Sequence, residues 1–112
     1  MLVVWLAFGP ACGSDPGDAA ARHDVALLVE RDGLIAQAAA DRLVRRGRPA
    51  IAVVETGLYG ADAAGRLRVI RTLVRIDPVE ARPIFAHLAA HDPDPDVRAA
   101  AAAALNAGVP SD

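Results

Sequence analysis

From residue 19 onward, apolar side chains recur every three or four positions, the spacing of one face of an α-helix. In residues 19–31 that face is Val25, Leu28 and Val29. In residues 33–46 it is Ile35, Ala39 and Leu43, with Val44 beside them. A third stretch after Pro49 carries Ile51, Val54 and Leu58. A fourth places Leu67, Ile70 and Val74 inward, flanked by Val69 and Leu73. Residues 83–91 are again apolar-periodic, and Val97, Ala101 and Leu105 form a last stripe. No stretch alternates with the two-residue period of a half-buried strand, so the pattern predicts an all-α chain of five to six helices.

Start and stop signals divide these helices. Asp32 and Asp62 stand where an N-cap carboxylate accepts from the free amides of the first turn. Gly47 suits the residue just past a helix end, and Arg45 and Arg46 fit the negative end of the helix dipole. Gly57 and Gly60 are expected to loosen the end of the third helix. Asp77-Pro78-Val79-Glu80 reads as cap, first-turn proline and capping-box acid. Pro83 follows too soon to lie inside that helix, where proline costs about 3 kcal/mol. A short turn at 78–81, with the regular helix starting near Pro83, resolves the conflict. Asp92-Pro93-Asp94-Pro95-Asp96-Val97-Arg98 is a tight acidic turn, with Asp94 as cap and Pro95 as first helical residue.

The signals repeat. Leu28, Leu58 and Leu88 recur at one interval, and Asp32, Asp62 and Asp92 recur at the same one. A period near 30 residues holding two helices is the signature of an α-solenoid, in which neighbouring pairs must stack to bury their apolar faces. Residues 76–85 and 92–101 resemble a short bacterial HEAT repeat: an acid-Pro start, a second proline five residues on, and an Asp-Pro-Asp-x-x-Val-Arg turn into an Ala-rich helix. The likeness is strong over 77–108, fair over 47–76 and confined to leucine and aspartate positions over 19–46. The turn at Asp62 keeps its Asp and Arg66 but lacks the prolines and the valine. The resemblance implies a short right-handed solenoid of antiparallel helix pairs over residues 21–108. It also implies that turn aspartates and the following arginines, Arg66 and Arg98, form a ladder between repeats. The function it implies is non-enzymatic protein–protein interaction, through a groove lined by the second helix of each repeat. Exposed positions expected there are Glu55, Tyr59, Arg82 and His87. The Ala-rich last helix is a further candidate surface, for self-association.

The N-terminus reads differently. Residues 1–11 are apolar, too short to span a bilayer but the length of a signal-peptide core. They end in Gly9-Pro10-Ala11-Cys12, which resembles a bacterial lipoprotein signal with Cys12 as the lipidated residue. The match departs from the family at Gly9, where Leu is usual, and in having no Lys or Arg before the apolar run. Residues 13–20 open with Gly13-Ser14-Asp15-Pro16-Gly17-Asp18 and read as a flexible linker. Residues 109–112 read as a tail. This resemblance implies a lipid-anchored protein of the bacterial envelope facing the periplasm. The alternatives are an apolar N-terminal element packed on the domain and a cytoplasmic adaptor.

Composition narrows the chemistry. A net charge of -2 gives no global attraction to nucleic acid or anionic lipid. One cysteine excludes an internal disulfide. Arg42, Arg45, Arg46 and Arg48, then Arg66, Arg68, Arg71 and Arg75, form two basic stretches. Without interleaved aromatics and with acids in adjacent turns, they read as salt-bridged outer faces; gripping a nucleic-acid backbone is the rival reading. His87 and His91 are four apart and could share a metal, but two histidines alone read as helix-end residues. No phosphate loop or nucleophile elbow is present, and neither a cofactor nor a metal is expected.

Overall fold

The computed structural model describes residues 16–107. They form α1 (Pro16–Glu30), α2 (Gly33–Arg46), α3 (Ile51–Thr56), α4 (Ala63–Ile76), α5 (Arg82–His91) and α6 (Pro95–Leu105), with a 3-10 turn at Arg48–Ala50 leading into α3. No strand occurs among the described residues. Consecutive helices fold back on each other as α1/α2, α3/α4 and α5/α6 across the turns at Asp32, Asp62 and Asp92. The helices after the turns, α2, α4 and α6, stack side by side, while α1 packs on α3 from the other layer. The result is a short all-α solenoid. Cys12 and residues 108–112 lie outside the described residues.

Local chemistry sets the helix boundaries. The Asp62 carboxylate accepts from the Gly65 amide at 2.8 Å, and that of Asp94 accepts from the Asp96 and Val97 amides at 2.8 and 3.2 Å. Each satisfies donors the first helical turn leaves free. Asp77 ends α4 and begins the next turn, its carboxylate accepting from the Val79 and Glu80 amides at 3.0 and 3.1 Å. Residues 78–81 form one turn, and α5 follows with Pro83 in its first turn, where no amide is needed.

Four expectations need correction. Asp32 occupies the N-cap position with extended backbone, but its side chain makes no capping hydrogen bond. Gly33 after it sits at φ 59°, a left-handed residue that turns the chain away from ordinary cap geometry. The stretch 13–20 is not all linker, because α1 is helical from Pro16. Proline suits the first helical position, Asp18 favours the positive end of the dipole, and Ala19, Ala20 and Ala21 are strong helix formers. Ile35 is 46% exposed; α2 buries the expected Ala39 and Leu43 together with Ala36 and Ala40. Finally, Leu67, Val74 and Leu105 are half-buried, while Val69, Leu73 and Ala104 are buried beside the expected Ile70. For α4 the reason is its central place: it packs against α1, α2, α3 and α6, so more than one stripe is covered.

Small residues let the layers close. Leu28, Leu43, Val54, Val69, Leu73, Phe85 and Val97 are among the large buried side chains, set beside fully buried Ala39, Ala81 and Ala101. Gly57 and Gly65 mark where α1 comes closest. A Cβ on Gly57 would lie 2.8 Å from Val25 Cγ1, and one on Gly65 would lie 3.0 Å from the Val29 carbonyl oxygen. Gly57 is therefore a packing requirement, and Gly60, at φ 80°, makes the turn.

Candidate functional site

The α3 and α5 helices run along the same side of the solenoid without packing closely on each other. Between them lies an open groove of about 710 Å³. On α3, Ile51 and Glu55 are four apart and share the face toward the groove, and Leu58 joins them from the turn that follows the helix. On α5, Ile84, His87, Leu88 and His91 do the same. Ile51, Leu58, Ile84 and Leu88 give the groove apolar walls, and Tyr59 stands at its edge, 80% exposed.

Two ion pairs bracket this groove. At one end Arg48 Nε donates to Asp77 Oδ2 at 2.8 Å. At the other, Arg66 Nε and Nη2 donate to Asp92 Oδ2 and Oδ1 at 2.8 and 3.1 Å. Both pairs join the α3/α4 hairpin and its turns to the α5/α6 hairpin and its turns, adding to the α4–α6 packing of the other layer where α3 and α5 do not pack directly. Arg48 and the Glu80 amide hold the Asp77 carboxyl below its ordinary value, against a smaller opposing effect of burial. At Asp92 burial alone would raise the carboxyl. The hydrogen bonds from Arg66 and from the Asp94 amide, with the charges of Arg66 and Arg98, outweigh it and hold the group below its ordinary value.

The Arg66–Asp92 rung has a repeat logic. Arg66 and Arg98 each lie four residues past their cap, Asp62 and Asp94. Each also donates Nη1 to the carbonyl of its own turn, Arg66 to Ala61 at 2.6 Å and Arg98 to Asp92 at 2.7 Å. The same hairpin, turn and arginine thus recur, linked from one unit to the next. The model of the HEAT-repeat family matches residues 25–106.

The chain belongs to the HEAT-repeat family. The match begins within α1 and ends just after α6, so it takes in all three hairpins. No curated protein and no solved structure matches this HEAT-repeat chain.

In this HEAT-repeat chain Glu55, Tyr59 and His87 converge on one groove. Arg82 does not join them. It donates Nη1 to the Leu105 carbonyl at 2.6 Å, closing an orphan acceptor at the end of α6. The groove lies along the helices that precede the acidic turns, rather than the second helices expected to line it. Of the ladder residues, Asp92 pairs with Arg66, whereas Arg98 reaches only the Asp92 backbone oxygen. The His87 and His91 rings lie 4.8 Å apart at 48° on one groove wall. No cluster of three or more His, Cys, Asp or Glu side chains gathers among the described residues.

The basic stretches are largely engaged within the fold. Arg68 donates to the Leu28 and Val29 carbonyls at 2.6 and 3.0 Å, capping the end of α1. Arg75 pairs with Asp41 at 2.8 Å, and Arg42 pairs with the buried Asp24 at 2.9 Å. Sequence reasoning missed the Arg48–Asp77, Arg42–Asp24 and Arg75–Asp41 pairs. Residues so far apart in the chain carry no spacing signal; the roughly 30-residue offset of Arg48 and Asp77 is visible only once the repeat register is fixed.

Proposed function

We propose that this chain is a non-enzymatic protein-interaction module whose docking site is the groove between α3 and α5. The observation that carries the reading is the groove's construction: half-buried Ile51, Leu58 and Ile84 over buried Leu88, with exposed Tyr59 at the edge and an ion pair at each end. Such an arrangement favours a segment of another protein, which would bury the walls without displacing any contact of the fold. The extended face of stacked repeats is suited to the same purpose. In this reading Cys12 is acylated and holds the module at the bacterial envelope, facing the periplasm.

The docking role is tested by substituting Ala52, an exposed helical residue that lines the groove. Ala52→Gln adds neutral bulk without touching the core. A partner protein that copurifies with the full chain should be lost with Ala52→Gln and kept with Gln37→Arg, which lies on α2 away from the groove. Equal recovery with both variants would overturn the reading. Intact-mass measurement and membrane fractionation test the anchor separately: Cys12 should carry acyl chains, and soluble protein with an unmodified thiol would remove that part.

A further inference from the structure

We infer that the groove selects an apolar segment carrying a basic side chain. This rests on the docking role proposed above and names the chemistry of the partner. Leaving aside the imidazoles of His87 and His91 on the α5 wall, the charges that line the groove do not balance. Its two arginines, Arg48 and Arg66, are each engaged by a carboxylate of the fold, Asp77 and Asp92. Two acidic side chains remain, Glu55 at mid-groove on α3 and Glu80 beside the first turn of α5. Glu80 lies near enough to Arg48 to act on its charge, but that guanidinium already faces Asp77, so the end holds two carboxylates and one cation. Glu55 is half-buried and has no partner among the described residues.

The apolar walls lie on both sides of Glu55: Ile51 on its own helix and Leu58 in the turn after it, Ile84 and Leu88 across the groove. An incoming segment that covers them also takes water from Glu55. A desolvated carboxylate without a partner is costly, so an acidic or purely apolar occupant is disfavoured. A Lys or Arg placed between apolar side chains pairs with Glu55 at the moment of burial. Glu80 extends the same preference to one end of the segment. A free anion or an anionic lipid surface does not fit these charges.

The test is selection of a random peptide library on the full chain, with Ala52→Gln as counter-selection, followed by affinity measurement of the enriched peptides. The expected pool combines apolar residues with Lys or Arg. Its binding should be lost with Ala52→Gln and weakened about tenfold by Glu55→Gln, the loss of one charge-assisted contact. Tyr59→Ala, at an exposed position, gives a second groove variant whose folding is not at risk. Peptides that depend on Ala52 and Tyr59 but are neutral or acidic, or are indifferent to Glu55→Gln, would overturn the charge inference and leave the docking groove standing. Enriched peptides indifferent to both groove variants, or no enrichment at all, would overturn the docking role and this inference together.

Discussion

Arg66 donates two hydrogen bonds to the carboxylate of Asp92, a residue of the next hairpin, at 2.8 and 3.1 Å. The Asp92 side chain is only 2% exposed and that of Arg66 17%. Removing one partner leaves the other charge buried, so Arg66→Ala should destabilise the fold by about 3 kcal/mol, read from urea unfolding. Arg66→Lys should recover only part of that loss, because an ammonium cannot reproduce the two-pronged contact. Full stability in either variant would mean the rung does not hold the repeats together.

Acid should weaken the same joint. Asp77 and Asp92 both have carboxyls held below the ordinary value of 3.8, Asp77 first by Arg48 and Asp92 by Arg66 against the effect of burial. The unfolded chain then binds more protons than the folded one in the acid range, so stability rises with pH there. Their contribution is complete above the unfolded value and is lost as pH falls through the lower, folded value. Melting temperature should be flat near neutral pH and drop below about pH 4. Asp92→Asn should melt lower at neutral pH and show a shallower acid fall; an unchanged slope would remove Asp92 from this account.

The close approach of α1 predicts a cost at Gly57. Its Cβ would meet Val25 Cγ1 at 2.8 Å and Val29 Cγ1 at 3.1 Å. Gly57→Ala should therefore destabilise by about 1–3 kcal/mol despite the better helix propensity of alanine. Adding Val25→Ala makes room, so the double variant should lose less than the two single losses combined. Simple additivity would show that the glycine is not there for packing.

Arg82 gives the opposite expectation. Exposed and bonded to the Leu105 carbonyl, it closes a helix end away from the groove. Arg82→Ala should cost about 1 kcal/mol or less and leave partner binding unchanged. Loss of binding with intact folding would place Arg82 back on the interaction surface.

Much of this was readable from the sequence where side chains are distinctive. The Asp92–Arg98 turn, the short turn before Pro83 and the Asp62 cap each use residues with one strong local role, whereas Asp32 marks a helix start without capping it. On α2 the inward Ala39 and Leu43 were legible, but the first turn was not, because Ala36, Ala38, Ala39 and Ala40 give no contrast between inside and outside. Large Ile35 was expected inward in place of Ala36, one residue or about 100° of helix away. Gly57 reads locally as a helix weakener, and only the position of Val25 reveals why it is needed. The groove itself follows from what is missing between α3 and α5, namely close packing, and no local pattern records that.

The central claim is that partners dock between α3 and α5. The most direct measurement is photocrosslinking in cells from a reactive side chain placed at Tyr59, with the same group at Gln37 for comparison. The account predicts a discrete protein adduct from Tyr59 that disappears when Ala52→Gln is added, and none from Gln37. Equal adducts from both positions, or an adduct from Tyr59 that survives Ala52→Gln, would contradict it.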